Sequence, residues 1–177
     1  MEPIATPLSG HAQAETWESY PLVSPTKFLI LCLITLGLYG LWWQYKAWRF
    51  FRQWQQTDTW PVMRALFSLF TFHELLATIN QFARHTGGST PIQNTSGLVT
   101  GYVILSLLAR LPDPFWLIHV GASWFLVPAY RAFRDAMLEA PVYGGSDQAN
   151  FSTRQVVLLS AGIVFWGLVI TGLNMPG

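Results

Sequence analysis

The chain has 177 residues, of which 51% are hydrophobic and 11% charged, and its formal net charge is +1. Soluble globular proteins carry about 25% charged residues, so this composition predicts a membrane protein. The small net charge argues against a protein that works by binding nucleic acid or an acidic polymer. The single cysteine, Cys32, excludes a disulfide within the chain and a paired-cysteine metal site.

The predicted elements begin after an N-terminal tail. Residues 1–24 contain three glutamates and three prolines but neither Lys nor Arg, so they lack the basic start of a cleavable signal peptide. We expect them to form a disordered tail that is retained ahead of an integral membrane domain over 25–177. Ser24 and Pro25 suit the cap and first turn of a helix expected over 26–56. Its apolar run is long enough to cross a bilayer.

Aromatic and basic residues alternate in the second half of this first helix. Such residues are enriched where a helix leaves hydrocarbon for the lipid headgroups, so we expect an interfacial anchor here. Trp60 and Arg64 extend the same pattern into the next segment. The candidate headgroup-binding residues are Lys46, Arg49, Arg52, Trp48 and Trp54.

The second segment, 61–85, carries polar side chains spaced three and four residues apart: Arg64, Ser68, Thr71, Glu74, Thr78, Gln81 and His85. This spacing places them on one helical stripe. The stripe fits an amphipathic helix that lies in the headgroup region or is re-entrant, and it equally fits a spanning helix that lines a cavity. For a polar path of the second kind, the candidate residues are Thr71, Glu74, Thr78 and the neighbouring His73.

Three further helices are expected at about 97–111, 115–139 and 153–173. The first two flank a Pro-Asp-Pro turn and should form a tight hairpin, while the third carries no charge from Val156 to Leu173 and should cross the bilayer. His119 lies alone in an apolar run, and we expect it to hydrogen-bond a neighbouring helix. The small residues expected to let helices pack closely are Gly37, Gly97, Gly101, Gly121 and Gly167.

The ten Lys and Arg residues distinguish two topologies, because cytoplasmic loops hold most of the basic residues. If 61–85 does not cross, four spans leave only Lys27 and Arg110 outside, with both termini outside the cytoplasm. If it crosses, five spans divide the basic residues five to five. Glu74 would then also cost about 2.5–3.5 kcal/mol to insert. We therefore expect an all-α bundle of four spanning helices plus an interfacial or re-entrant helix, with five spans as the alternative.

One stretch points to a group of known proteins. Thr35–Lys46, which reads T-L-G-L-Y-G-L-W-W-Q-Y-K, resembles the Thr-x-Gly-[Ile/Leu]-Tyr-x-x-[Tyr/Trp]-Trp-x-Tyr signature of uncharacterised bacterial multi-pass membrane proteins. Those families are domains of unknown function. Ser24–Lys27 and Arg110–Trp116 are similar to members of the same families. The resemblance, over residues 24–173, implies the bacterial inner membrane and transfers no activity.

The sequence contains no Gly-rich phosphate loop, His-Glu-x-x-His motif, Gly-x-Ser-x-Gly motif or repeated cysteine pair. We therefore predict no enzyme, cofactor or metal site. The function expected is that of a structural or accessory membrane component, whose partners are the lipid bilayer and either a second copy of the chain or another membrane protein. Two alternatives stay open: a small oligomeric channel or transporter that uses the polar stripe, and a protein that binds anionic lipid at the membrane surface.

Overall fold

The computed structural model of the chain describes residues 17, 19–58, 60–87, 91–112 and 115–174. Most of these residues are helical, which confirms the predicted all-α class. The helices are α1 (Pro25–Ile34), α2 (Leu38–Gln55), α3 (Pro61–Leu66), α4 (Ser68–His85), α5 (Thr95–Leu107), α6 (Ser123–Glu139) and α7 (Thr153–Asn174), with 3-10 segments at Leu108–Arg110, Phe115–Ala122 and Pro141–Tyr143. Two short strands, β1 (Tyr20–Leu22) and β2 (Gly145–Asp147), pair in parallel.

The predicted continuous helix over 26–56 is wrong, because α1 and α2 form a hairpin. α1 ends in a pair of backbone hydrogen bonds that close a left-handed turn, in which Leu36 has φ +52° and Gly37 has φ +84°. The chain then reverses, so the Phe28 ring of α1 lies 5.4 Å from the Trp43 ring of α2. We call this unit the first hairpin.

The predicted single helix over 61–85 is also two helices, which reverse at Phe67 and form the second hairpin. The Thr71 hydroxyl donates to the Arg64 carbonyl across the turn at 2.6 Å. The Arg64 guanidinium pairs with the Glu74 carboxylate at 2.7 Å. Both the first residues of α3 and the last residues of α4 lie beside the end of α2, so this segment has the geometry of the re-entrant alternative.

The third hairpin joins α5 to α6. The predicted helix over 97–111 corresponds to α5 and Leu108–Arg110, and the one over 115–139 corresponds to Phe115–Ala122 and α6. Glycines sit at the contact between the two arms: a Cβ at Gly101 would meet the Phe125 ring, and one at Gly121 would lie 3.4 Å from Leu105. The arms are therefore antiparallel and closely packed.

The turns of the first two hairpins meet at one level of the molecule, which we call the turn end, and the third hairpin extends past it. A cavity at the turn end is lined by Leu36 of the first turn, Ser68 beside the second and Ser106 of the third hairpin's first arm. The helix ends and the sheet gather at the opposite end, which we call the basic end. Contacts that tie this end together join Trp54 to His85, Arg134 to Asp147, and the Lys27 ammonium to the Ala149 carbonyl.

α7 starts at the basic end and runs past the first turn. It confirms the helix predicted over 153–173. A Cβ at Gly162 would clash with Ile34, so the backbones of α7 and α1 are in close contact at this point. Among the described helices, Thr153–Gly172 is the one long and apolar enough to cross a bilayer by length and composition. Little of its surface is covered by the rest of the chain.

The core is aromatic and extends to the sheet. The Phe28 and Tyr130 rings stack at 4.0 Å, and Phe133 contacts rings from α2 and α4. Leu22 of β1 is fully buried against this core. The prediction of a disordered tail up to residue 24 is therefore too long, and residues 1–16 and 18 lie outside the described residues.

Candidate functional site

The basic end carries an open surface cavity of about 460 Å³ at the last turn of α2. Its lining is entirely polar or charged: Arg49, Arg52, Gln53, Gln56, Thr57 and Asp58. Arg49 and Arg52 are three residues apart, so they lie on neighbouring turns of one helix face. A guanidinium presents a planar fork of N–H donors that matches phosphate oxygens. The Asp58 carboxylate lies on the same rim and would repel an anion. Attraction of an anion to this cavity would therefore require both arginines.

Two further cavities follow this one along α2 and α3, and each shares at least one lining residue with its neighbour. A second cavity, of about 510 Å³, contains Arg52, Asp58, Trp60, Pro61 and Val62. Val62 also lines a third one, of about 350 Å³, whose other walls are Leu41, Trp42, Tyr45, Ala65 and Leu66. We call the three together the basic groove. It is charged at one end and apolar at the other, which is the polarity of a phospholipid.

The other predicted headgroup-binding residues do not line the basic groove. The Lys46 ammonium lies over the Tyr20 ring at 4.3 Å and the Trp42 ring at 5.1 Å, linking β1 to α2. Trp48 is buried beneath the Arg64 guanidinium, so its predicted role at the headgroups is wrong. Trp54 packs against Phe82 and His85. Of the five predicted residues, the structure brings only Arg49 and Arg52 to the groove.

Within one chain, the predicted polar-path residues contact the second hairpin or solvent, and a path assembled from several copies stays a prediction. Thr71 and Glu74 both bind Arg64, and the Thr78 hydroxyl donates to the Glu74 carbonyl at 2.8 Å. His73 is exposed on another side of α4. The spacing that suggested a lining instead lets α4 close the second hairpin on α3. A sequence pattern at helical spacing does not distinguish these two uses.

The glycines predicted to mediate helix packing have different surroundings in the structure. Gly101 and Gly121 pack the third hairpin, as expected. Gly37 serves the positive φ of the first turn, and a Cβ at Gly97 would meet the side chain of its own N-cap, Asn94. A Cβ at Gly167 would have nothing within 4 Å in the described part of the chain, and its predicted packing against a second chain stays a prediction.

The closest glycine contact between helices, at Gly162, was not predicted. Gly162 follows an alanine in an unbroken apolar run and has no small residue four positions away on its Gly167 side, so the spacing motif selected the wrong glycine. Among the described residues, no group of three His, Cys, Asp or Glu side chains is arranged to hold a metal ion. Comparisons with known protein families, curated proteins and solved structures found no match to this chain.

Proposed function

We propose that this chain is an integral protein of a bacterial inner membrane that binds anionic phospholipid in the basic groove and serves as a structural or accessory component. The turns of the first two hairpins carry the proposal. Both expose apolar side chains, and the first turn also pairs the N–H groups of residues 35–39 within the chain. A turn with these two properties is suited to hydrocarbon, where no water is present to pair a free N–H group.

The first turn satisfies its own backbone donors. The N–H groups of residues 35, 36, 37 and 38 each donate to a backbone carbonyl. The next N–H, of Tyr39, donates to the Thr35 hydroxyl at 3.0 Å. An unpaired N–H group in a bilayer costs several kcal/mol, so this closure removes the main penalty for inserting a turn.

The side chains around the two turns are large and apolar. Phe70 is 81% exposed and Leu66 is 69% exposed, with Leu38 and Phe67 close to them in exposure. At about 25 cal/mol per Å² of apolar surface removed from water, a cluster of this size favours a nonaqueous environment. Lipid provides that environment, and a membrane partner that covers the cluster provides an equivalent one.

The dimensions support two depths of insertion. Lys46 precedes the basic end by less than two turns and lies eight residues from Leu38, which is about 12 Å of helix. The first hairpin therefore reaches about the middle of a hydrocarbon core about 30 Å thick. Phe115–Ala122 continues beyond the first turn by about 16 Å of 3-10 helix. The third hairpin is tall enough to cross completely.

α7 is the third crossing segment in the proposed topology. The 20 residues Thr153–Gly172 give about 30 Å of helix, equal to the hydrocarbon thickness. Two half-depth hairpins and three crossings replace the four spans expected from the sequence. The first predicted span becomes a hairpin that returns to its starting side, and 61–85 does the same.

The charges orient this arrangement. Nine of the ten Lys and Arg residues lie between the hairpin turns and the basic end, and Arg110 in the third turn is the exception. Lys27, which the four-span topology placed outside the cytoplasm, is one of these nine residues. The positive-inside rule then favours a cytoplasmic basic end. The residues before β1 are cytoplasmic and the end of α7 is external, whereas the four-span topology had both termini outside.

Phospholipid binding follows from the groove. A phosphate seated at Arg49 and Arg52 directs its acyl chain along the apolar wall formed by Leu41, Trp42 and Ala65. The basic end is at headgroup depth in this topology, and an anionic surface attracts Lys or Arg by about 1 kcal/mol per residue. The channel alternative has less support, because the stripe residues are engaged in closing the second hairpin.

The test measures lipids that copurify with the full chain after solubilisation from membranes. Replacing both arginines, in Arg49→Gln/Arg52→Gln, should lower the enrichment of phosphatidylglycerol over phosphatidylcholine by about 30-fold, since about 2 kcal/mol is lost. Arg110→Gln is the matched control and should leave it unchanged. Equal enrichment in the double variant and the parent contradicts lipid binding in the groove. Release of the chain from membranes by alkaline carbonate contradicts membrane insertion itself.

A further inference from the structure

The cavity at the turn end is a second feature, separate from the arginines. It has a volume of about 240 Å³ and lies where the turns of the first two hairpins meet the arms of the third. Its apolar walls include Leu41 and Leu66, which also line the basic groove, so the two spaces adjoin. Five polar side chains line it: Ser68, Tyr102, Ser106, His119 and Ser123.

Three polar side chains form a connected chain on one wall. The Gln44 amide, fully buried on α2, donates to the Tyr102 hydroxyl at 3.4 Å. That hydroxyl shares a second hydrogen bond, 3.1 Å long, with the Ser68 hydroxyl. When Tyr102 donates in this bond, the Ser68 hydroxyl accepts, and the Ser68 proton is available to another acceptor. The Gln44 Oε1 atom is buried with no partner among the described residues.

The opposite wall adds two serines without a partner. The hydroxyls of Ser106 and Ser123 form no hydrogen bond with any described residue. Ser123 is buried and faces Gly37 of the first turn. Ser106 is half-buried and Ser123 buried, and both line the cavity, so their hydroxyls are available to a ligand with matching groups.

The chemistry of the lining defines the ligand. Among the described residues, no Lys, Arg, Asp or Glu lines the cavity, so the described lining offers no charge to compensate a charged head. The lining groups are hydroxyls, which both donate and accept, and one imidazole. The volume is below the range of about 300–1,000 Å³ typical of pockets that enclose whole drug-sized ligands. The space therefore suits the head of a ligand whose apolar remainder lies in the adjoining groove.

We propose that the cavity binds the uncharged head of a neutral lipid with one free hydroxyl and nearby ester carbonyls, as in diacylglycerol. Its hydroxyl pairs with Ser68 or Ser123, its carbonyls accept from Tyr102 or Ser106, and its acyl chains pass between Leu41 and Leu66. This proposal rests on the proposed membrane insertion but uses a different site from the arginines.

The experiment uses the full chain in phosphatidylcholine nanodiscs with a trace of diacylglycerol that carries a diazirine near the head. Irradiation followed by peptide mapping should place the crosslinks at the cavity lining. Tyr102→Phe and Ser123→Ala should each lower this crosslinking about three- to tenfold, the effect of one lost hydrogen bond. Ser106→Leu fills the space and should abolish it. Ser160→Ala, on the exposed part of α7, is the matched control and should not change it.

Competition identifies the recognised group. Unlabelled diacylglycerol should displace the probe about tenfold better than the same lipid with its hydroxyl methylated, because methylation removes the donated proton. Equal displacement by the two, or equal displacement by phosphatidylcholine, overturns the proposal, as does full crosslinking in Ser106→Leu. Phosphatidylglycerol enrichment measured on the same variants should be unchanged, which separates failure of this site from failure of the basic groove.

Discussion

Replacing Gly162 by alanine tests how α7 is attached to the first hairpin. A Cβ at this position would lie 2.9 Å from the Ile34 carbonyl oxygen and would also clash with the Ile34 side chain. The side chain can rotate, but the carbonyl belongs to the last residue of α1 and moves only with the turn that follows. Gly162→Ala should therefore push α7 away from α1.

The expected cost follows from known overpacking effects. Forcing an extra methyl group into a packed contact costs about 1–3 kcal/mol. For a chain of this size, 1 kcal/mol shifts the Tm by about 2–4 °C, so Tm should fall by about 3–9 °C. The helix propensity of alanine offsets up to about 1 kcal/mol of the loss. Cys32, the single cysteine and fully buried, lets a thiol-reactive dye report unfolding in detergent.

Two further variants make the result specific. Gly167→Ala introduces the same methyl group on the same helix where nothing lies within 4 Å, so its Tm should be unchanged or slightly raised. Adding Ile34→Ala to Gly162→Ala removes the clashing side chain but not the carbonyl, and should restore only part of the loss. An unchanged Tm in Gly162→Ala, or equal losses at Gly162 and Gly167, refutes the close contact between α1 and α7.

Three other variants test the hairpins by the same dye assay. Thr35→Val leaves the Tyr39 N–H unpaired and should lower the Tm by about 3–9 °C. Thr35→Ser keeps the hydroxyl and should leave the Tm unchanged. Equal Tm losses in the two variants contradict the proposed cap. Gly101→Ala should destabilise by about 1–3 kcal/mol, and shortening Phe125 to leucine should relieve it. Glu74→Gln breaks a partly exposed ion pair and should cost at most about 1 kcal/mol; a Tm loss above about 6 °C is inconsistent with that role.

The sequence predicts helix content well because its apolar runs are long and are separated by clear polar, Gly or Pro segments. The cap at Ser24 and the uncharged run of α7 both lead to the observed helices. The reversal at Leu36 was not predictable from composition, since leucine rarely adopts positive φ. A single glycine such as Gly37 is as consistent with close helix packing as with a turn. An apolar stretch long enough to span can also fold back halfway, and the two differ only in such a local turn.

The candidate site was predicted in part for a related reason. Arg49 and Arg52 were identified because basic residues at a helix end are typical of a membrane interface. Trp48 belongs to the same sequence pattern, but it is covered by Arg64, which lies ten or more residues away in sequence, and local spacing does not predict that contact. The cavity at the turn end combines polar residues from four helical segments, among them Ser68, Ser106 and His119. None of them forms a local motif, so only the fold brings them together.

The central claim is that the first two hairpins begin and end on one side of the membrane while the third crosses it. Single cysteines at Asp58, Thr86 and Arg110 in a Cys32→Ala background test it by labelling intact cells with a membrane-impermeant maleimide. Asp58 and Thr86, which flank the second hairpin, should both be protected until the cells are permeabilised, and Arg110 should label without permeabilisation. Labelling of Asp58 and Thr86 from opposite sides would contradict the account, because 61–85 would then be a span.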